Sequence, residues 1–502
     1  HLLKLKKIWL NSKMKIAILF GENSTRTLHS FRMAAGSCGA FVDGFPTADY
    51  TSLAKGETWA HTAAMFANLG FDAIVMRSTI EGLPRWTAEY LSSLHDHISD
   101  QHQKLDIPFA YRRPIIYNGG DGKNQHITQC FLDLFTMREL ARSHKKDLEG
   151  LSVALLNDLA HGRTVASLMV AASLFHFELH FAYPVRFGPQ QHRLDYLIRR
   201  KIHIHDHQQD FLSAMQHSFV AYQSRPQKER VGIGEDLVLV KRQGQITLEM
   251  YQTLGKNAPY LMHPRPIDAM TFQEIDSRLD FHPKNVTDMQ ASNGKYIRIA
   301  LLALGLGVID VDYHGPKVTQ NEIPISMKEL SFISKEKHLE NPRTGFVENG
   351  VVIDHIPDGF GRRISGVLGF EKSHLPIVAA YHIDTQSGRK PNKDMIKIHE
   401  PYHFSQEQLE VLALLAPNVT ISEIASRNVT RKYRPVKGSF IHNRIACSNQ
   451  SCITNIKHEN VPTLHHIVEL TSGEIELHCH YCERTDTIPT IYKEERFIYI
   501  QM

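Results

Sequence analysis

Short, continuous apolar runs separated by helix-like segments fill the first 310 residues of this chain and constrain its fold most strongly. Runs that are apolar throughout, without alternation, are typical of strands buried on both faces, as in parallel sheets covered by helices. The sequence therefore predicts two parallel-sheet α/β domains, residues 1–140 and 141–297, with a helix over 298–312 completing the first. The runs are residues 15–20, 72–77, 114–119, 151–158, 177–183, 218–223 and 260–264.

The pattern changes after residue 312. Residues 313–344 are polar and broken by prolines, which favours a linker. Over residues 345–436 the order strand, helix, strand, strand, helix, strand predicts a ferredoxin-like α+β domain. Ser405 precedes Gln408 by three residues, which predicts a capping box at the start of its second helix. Residues 437–502 have short strand-like runs and predict a small β-rich domain.

Four of the six cysteines form two close pairs in this last domain, Cys447 with Cys452 and Cys479 with Cys482. Two thiolate pairs with these spacings strongly predict a structural zinc site with four cysteine ligands. The isolated Cys38 and Cys130 are expected to be small core side chains. So few cysteines argue against a disulfide scaffold and favour a reducing cytoplasm.

Charge and hydropathy exclude several classes of protein. The formal net charge is +4 in 502 residues, which argues against broad binding to nucleic acid or to a membrane surface. No apolar run is long enough to span a bilayer. The basic start is not followed by a cleavage signal, so we do not expect a signal peptide.

Polar and basic residues follow most of the predicted strands, where parallel sheets bind ligands. The hydroxyls, the arginine and the helix-start amides of residues 24–27 could hold a phosphate, although such a string is often an ordinary helix start. Arginines at four strand ends together predict a site for anionic ligands; they are Arg26, Arg77, Arg163 and Arg225. We find no nucleophile elbow, phosphate-binding P-loop or catalytic metal trio. A reaction between two anions without a protein nucleophile fits these residues.

Several strings resemble, in the same order, the catalytic chain of the aspartate carbamoyltransferases. They are STRT (24–27), SLAKGET (52–58), DAIVMRSTIEG (72–82), NGGDGKNQHITQCFLDLFT (118–136), NDLAHGRTV (157–165), SRPQKER (224–230) and HPRP (263–266). Ornithine carbamoyltransferases share the first string but carry a cysteine-containing motif where this chain has His263 and Pro264. One departure is Arg265, which stands where the family has a leucine and either blocks the site or adds a carboxylate contact.

The resemblance implies a carbamoyl-phosphate-binding first domain and an L-aspartate-binding second domain in a catalytic trimer of de novo pyrimidine biosynthesis. The phosphate would be bound by Ser24, Thr25, Arg26 and Thr27. The carbamoyl group would be polarised by Arg77, His126 and Thr27 and held by Gln129. The aspartate would be bound by Arg163, Arg225 and Gln227, beside His263, Pro264 and Arg265. Ser52 and Lys55 would enter a neighbouring subunit's site, and Glu22 and Arg230 would form ion pairs on domain closure.

Residues 345–484 resemble the regulatory chain of the same enzyme, through NGVVIDHIP, KDMIKIHEP, LALLAP, KYRP, CSNQSC and CHYC. This resemblance implies a fused catalytic and regulatory chain with nucleoside triphosphates as effectors. The implied nucleotide-binding residues are Asp354, His355, Lys393, Lys397, Ile424 and Lys432. Two alternatives remain: a nucleotide-sensing scaffold that has lost catalysis, and a carbamoyltransferase with another amino-group substrate.

Overall fold

The computed structural model describes residues 14–106, 112–226, 244–268, 273–309, 324–331, 345–383, 392–470 and 473–498. The chain divides into two compact units. One comprises His1–His314 with Ser451–Ile453, and the other comprises Gly315–Gln450 with Thr454–Met502. Gln227, Arg230 and most of the predicted linker lie outside the described residues.

A four-stranded parallel sheet forms the first domain, with the strand order β2-β1-β3-β4. Its central strand is buried on both faces, and Ile16, Ile18 and Phe20 pack against Phe31 of the following helix. The strands are β1 (Lys15–Phe20), β2 (Phe41–Phe45), β3 (Ala73–Ser78) and β4 (Ile115–Asp121). The helices are α1 (Thr25–Ser37), α2 (Trp59–Asn68), α3 (Leu83–Leu105) and α4 (Ile127–Ser143).

A five-stranded parallel sheet forms the second domain, with the order β7-β6-β5-β8-β9. The two sheets confirm the predicted α/β class. The strands are β5 (Ser152–Leu156), β6 (Glu178–Ala182), β7 (Ile204–Asp206), β8 (Val220–Gln223) and β9 (Tyr260–Met262). The helices are α5 (Arg163–Phe175), α6 (Gln191–Arg199), α7 (Phe211–Gln216), α8 (Leu248–Leu254) and α9 (Thr287–Gly305).

The helix α9 begins and ends earlier than the predicted range of 298–312. Its first half carries polar side chains such as Gln290 and Asn293, so the apolar signal in the sequence starts only near residue 298. Its end is followed by Gly307, which adopts the left-handed conformation that commonly follows a helix. Asn293 donates a 2.9 Å hydrogen bond to Thr136 of α4, which joins α9 to the helix between the two domains.

The second unit contains a six-stranded antiparallel sheet with the order β10-β15-β14-β11-β13-β12. The four strands of the predicted β-α-β-β-α-β pattern have the ferredoxin-like order, and the predicted capping box at Ser405 is present. The strands are β10 (Ser326–Glu329), β11 (Gly350–Pro357), β12 (Ile377–Ile383), β13 (Lys393–Ile398), β14 (Thr420–Ala425) and β15 (Asn428–Val436). The helices are α10 (Gly361–Val367) and α11 (Gln406–Leu415). Strand β10 lies within residues 313–344, where the sequence predicted only a linker.

The last domain is a four-stranded antiparallel sheet with the order β16-β17-β18-β19, followed by a short helix. The elements are β16 (Phe440–His442), β17 (Leu464–Glu469), β18 (Ile475–Cys479), β19 (Thr485–Thr487) and α12 (Ile488–Lys493). Across the described part of the chain, no helix combines the length and the apolar character needed to cross a membrane.

Candidate active site and metal centre

A cavity of about 750 Å³ is lined by loops from both parallel-sheet domains. It lies beyond the carboxyl ends of β1 and β3 in the first sheet, and of β5 and β8 in the second. At each of these two positions the strand order reverses, which is where open α/β sheets bind ligands. The predicted strand-end motifs thus meet at one cavity.

The lining of this cavity is strongly basic. Glu22 is the one carboxylate among its lining residues in the described part of the chain, against six guanidinium groups. Such an excess of positive charge in a cleft attracts and concentrates anions. The arginines are Arg26, Arg77, Arg163, Arg225, Arg265 and Arg298.

The Ser24–Thr27 string opens α1 directly beyond β1. Ser24 is the N-cap residue but forms no side-chain cap bond, so its hydroxyl is available to a ligand. The first backbone N–H groups of a helix and its positive dipole end favour a bound anion. Partial burial, followed by the charges of Arg265 and Arg225, lowers the pKa of Arg26. The three side chains are therefore close enough for their charges to interact.

His126 is buried beside two other predicted catalytic residues. Its Nε2 lies 3.4 Å from Arg77 Nη1 and 3.5 Å from Thr27 Oγ1. Burial, then the charges of Arg77, Arg163 and Arg298, lower the pKa of His126 well below its ordinary value. The imidazole is therefore neutral near pH 7 and has one ring N–H that can donate a hydrogen bond.

Glu22 links the first domain to the second through Arg163. The carboxylate accepts two 2.8 Å hydrogen bonds from the two terminal nitrogens of that guanidinium. It also lies 3.5 Å from Arg77 Nη2. Arg163 additionally donates to the Gly122 carbonyl, so these bonds use three of its five N–H groups. The structure thus pairs Glu22 with a predicted aspartate-binding arginine.

Asp133 organises a buried group that the sequence analysis did not identify. This carboxylate accepts hydrogen bonds from Gln129 Nε2, Gln290 Nε2 and Tyr222 Oη, at 2.9, 2.6 and 2.9 Å. Burial raises the pKa of Asp133 to about 7. Because the Gln129 amide nitrogen is occupied by Asp133, the orientation of this predicted carbamoyl-binding side chain is fixed.

Arg298 is a second lining residue that the sequence analysis did not assign to the site. It is buried and donates to Ser30 Oγ at 3.0 Å and to the Gly294 carbonyl at 3.1 Å. Burial lowers the pKa of Arg298 to about 10, and the negative charge of Asp133 opposes this shift. Since Arg298 stands at the start of an apolar run within α9, no strand-end motif marked it in the sequence.

Arg265 is held at the edge of the cavity. Its Nη2 donates to Asp288 Oδ1 at 2.7 Å and to Thr287 Oγ1 at 3.0 Å. The neighbouring His263 is buried, and its Nδ1 accepts a 2.8 Å bond from the Arg265 amide. The cavity keeps its volume of about 750 Å³ with Arg265 in this position, so the side chain does not fill it.

Ser52 and Lys55 are exposed in a short 3₁₀ turn and do not line the cavity of their own chain. The remaining predicted substrate-binding residue, Gln227, lies outside the described residues.

Most of the predicted nucleotide-binding residues lie on one face of the six-stranded sheet. Strand register places Lys397, Val352, Ser422 and Lys432 in one row across four strands. Since side chains alternate along a strand, Asp354 and Ile424 share this face. The opposite face packs against α10 and α11 through Ile353, Ile396, Ile421 and their neighbours.

Several of these residues already have partners. Lys393 Nζ lies 2.6 Å from Asp354 Oδ1. His355 Nδ1 lies 3.1 Å from Thr420 Oγ1. Lys397 is only 1% exposed and donates to the Gly345 carbonyl at 2.7 Å, and burial lowers its pKa. The Lys397 side chain is therefore buried, whereas the Lys432 side chain is half-buried and partly accessible on this face.

Four cysteine side chains converge in the last domain. They are buried, without disulfides, and their sulfur atoms all lie within 4.8 Å of one another. Cys447 Sγ and Cys482 Sγ are 3.5 Å apart. A tetrahedral zinc ion with Zn–S bonds of about 2.3 Å needs sulfur separations of roughly 3.8 Å. Cys447, Cys452, Cys479 and Cys482 thus fit a closed structural zinc site, as predicted.

Comparisons with known proteins cover both parts of the chain. Residues 4–139 and 149–304 match the carbamoyl-phosphate-binding and Asp/Orn-binding domain models of the aspartate/ornithine carbamoyltransferases. Residues 344–436 and 439–491 match the allosteric and metal-binding domain models of the aspartate carbamoyltransferase regulatory chain. The catalytic subunit of aspartate carbamoyltransferase from Thermococcus kodakarensis is 34% identical over 59% of this chain and 85% of its own length. The chain belongs to the aspartate carbamoyltransferase family.

The fused arrangement also has relatives. The protein PyrBI of Treponema denticola is 28% identical over 95% of this chain and 89% of its own length. The catalytic subunit of the M. jannaschii aspartate transcarbamoylase has a similar fold, with a TM-score of 0.50 and 29% identity. That similarity covers 61% of this chain and 91% of that one. These matches confirm the predicted fused aspartate carbamoyltransferase chain, and the metal-binding match supports the structural zinc.

Proposed function

We propose that this chain transfers the carbamoyl group of carbamoyl phosphate to the amine of L-aspartate. The amine nitrogen forms a bond to the carbamoyl carbon, and the bond from that carbon to the phosphate oxygen breaks. The amine loses a proton to the departing phosphate or to solvent, and the products are N-carbamoyl-L-aspartate and phosphate. The observation that carries this proposal is one cavity whose described lining residues include six arginines, from two parallel-sheet domains, and one carboxylate.

The phosphate is proposed to bind at the start of α1, where the Ser24 hydroxyl and the first amides of the helix are available. Thr25, Arg26 and Thr27 complete this part of the site. The remote phosphate contacts would orient the carbamoyl carbon for attack, which lowers the entropic part of the barrier.

The carbamoyl oxygen is proposed to lie against Arg77, His126 and Thr27, since His126 Nε2 is within 3.5 Å of a polar atom of each of the other two. Negative charge develops on this oxygen during attack, and donors held in place stabilise it most. His126 would act as a neutral hydrogen-bond donor, because its lowered pKa makes it a weak base. Gln129, fixed by Asp133, would accept from the carbamoyl amide through its carbonyl oxygen.

The two aspartate carboxylates are proposed to bind Arg163 and Arg225, with Gln227 and the loop of His263, Pro264 and Arg265. Arg163 lines the cavity, and Glu22 fixes its guanidinium. Planar guanidinium groups suit carboxylates because they donate two parallel hydrogen bonds.

The active unit is proposed to be a trimer in the cytoplasm. Ser52 and Lys55 are exposed outside their own cavity, which suits side chains that enter a neighbouring subunit's site.

Nucleoside triphosphates are proposed to bind the face of the six-stranded sheet that carries Lys397 and Lys432. Lys393 and Lys432 would contact the phosphates, and Ile424 would contact the base. Lys432→Ala should reduce the effect of nucleoside triphosphates on the rate, whereas the exposed Lys372→Ala should not. An unchanged response in Lys432→Ala would refute this site.

Arg225→Ala tests the aspartate assignment, with the exposed Arg186→Ala as the matched control. Loss of a carboxylate partner that positions the nucleophile should lower kcat/KM for aspartate by roughly 10²–10³-fold. The control should retain the wild-type value. Full activity in Arg225→Ala would refute the assignment.

The alternative of a scaffold without catalysis is suggested in part by Arg265, and the cavity remains open with that side chain in place. Isothermal titration with a bisubstrate analogue, a phosphonate joined to aspartate, separates the two functions. Tight binding that requires Arg26 supports the enzyme, and no binding supports the scaffold.

A further inference from the structure

A cluster of histidines lies on the second domain, on strands and a helix that the catalytic proposal does not use. Strand β6 carries Glu178 and His180, and the edge strand β7 carries His205, with His207 just beyond its end. Register pairs His180 with His205. Because side chains alternate along strands, all four point to the same face of the sheet.

The imidazole rings are stacked together. The rings of His180 and His205 are 4.6 Å apart at 12° to each other, and His180 and His207 are 5.3 Å apart. The ring of His217, which follows α7, lies 5.9 Å from that of His180. His205 Nε2 is 2.8 Å from Glu178 Oε1. One possible ligand atom from each of Glu178, His180 and His205 lies within 4.8 Å of the other two.

His180 is the central residue of this cluster. It is only 3% exposed, and its Nε2 has no hydrogen-bond partner in the described structure. A buried polar atom without a hydrogen-bond partner destabilises a fold, so this nitrogen calls for a ligand. A bound cation would satisfy this nitrogen.

The hydrogen bonds around His180 are compatible with the tautomer that a metal needs. Its Nδ1 lies 3.0 Å from His207 Nε2, and His207 Nδ1 lies 3.1 Å from Ser213 Oγ. If each Nδ1 carries the proton, both bonds are made and the lone pair of His180 Nε2 is free. Metal-binding histidines typically donate their other ring N–H to a partner in this way.

We propose that Glu178, His180 and His205 bind a divalent first-row transition metal ion such as Zn²⁺, which joins the edge strand β7 to β6. Two imidazoles and one carboxylate are an established donor set for zinc and its neighbours. The metal takes the place of the proton between His205 and Glu178, and that proton goes to solvent. Glu178 and His205 are about half exposed, so they can rotate to metal-binding distance.

The test is equilibrium dialysis of the full chain against Zn²⁺, with metal content measured per chain by mass spectrometry. The wild type should hold two zinc ions, one at the four cysteines and one at the histidine cluster. His205→Ala should hold one, and the exposed control His97→Ala should hold two. His205 is half exposed, so its replacement should leave the fold intact, which circular dichroism checks.

A cobalt titration identifies which site is lost. Cobalt at four thiolates gives strong charge-transfer bands, whereas cobalt at imidazole and carboxylate ligands gives only weak visible bands. His205→Ala should lose the weak bands alone, and Glu178→Gln should weaken them. One zinc ion per wild-type chain, or two in His205→Ala, would overturn the proposal. Neither the dialysis nor the cobalt titration depends on carbamoyl transfer, so both results are independent of the proposed reaction.

Discussion

Replacing Glu22 by glutamine removes the only carboxylate among the described residues that line the cavity, while keeping the side-chain shape. In the wild type, two 2.8 Å hydrogen bonds hold the Arg163 guanidinium. A hydrogen bond to a charged group contributes about 1.5–3 kcal/mol. Glutamine can still accept one of the two bonds through its oxygen.

The expected loss in the positioning of Arg163 is therefore one charge-assisted bond, roughly 1.5 kcal/mol at the low end of that range. That energy corresponds to about a tenfold rise in KM for aspartate. Phosphate should behave in the opposite way, since the cavity loses a negative charge and attracts anions more strongly. Product inhibition by phosphate should therefore begin at a lower concentration.

Steady-state kinetics measures both effects, with aspartate varied at several phosphate concentrations. The exposed Glu149→Gln serves as a control and should leave both constants unchanged. If Glu22→Gln leaves the KM for aspartate and the phosphate inhibition constant at wild-type values, Glu22 does not position Arg163 for substrate.

Three further predictions follow from single residues. Because the pKa of His126 is lowered on folding, the unfolded state binds more protons below pH ~6.5, so stability should fall with acid through that range. His126→Asn should reduce this loss between pH 7 and pH 5 in urea titrations followed by tryptophan fluorescence, and an unchanged pH slope would contradict it. Cys479→Ser should abolish zinc binding at the four cysteines, unfold the last domain and remove the effect of nucleoside triphosphates on the rate, while carbamoyl transfer persists. A full nucleotide response in zinc-free protein would contradict this prediction. Arg265→Leu should raise the KM for aspartate by less than about fivefold, because Arg265 is already paired with Asp288 and its partly exposed guanidinium would add only about 0–1 kcal/mol to aspartate binding; a large rise in activity would indicate that the arginine blocks the site.

The sequence predicted the buried strands better than the edge strands. Strand β1 is apolar throughout because both of its faces are covered, and it was predicted with its observed bounds. The edge strands β2 and β7 are exposed or half-buried and contain Asp43 or His205, so they lack a continuous apolar run. Their pairing depends on backbone hydrogen bonds to a neighbouring strand, which a single sequence does not show.

Some site residues could be predicted from the sequence and others could not. Those that follow strands could be predicted, because the carboxyl ends of parallel strands lie at one edge of a sheet. Asp133, Gln290 and Arg298 lie within helices, and their roles depend on how α4 and α9 pack together. In the helix α4, the apolar side chain of Phe131 is 44% exposed, whereas Asp133 is fully buried. Polar side chains that face a binding cavity do not follow the apolar pattern of a helix.

The most direct test of the proposed reaction measures carbamoyl-amino-acid formation by the purified full chain. Carbamoyl phosphate is supplied with either L-aspartate or L-ornithine, and the ureido product is quantified colorimetrically. We predict N-carbamoyl-L-aspartate with aspartate, little product with ornithine, and a loss of at least about 10²-fold in Arg26→Ala. No product with aspartate, or faster product formation with ornithine, would contradict the assignment of this chain as an aspartate carbamoyltransferase.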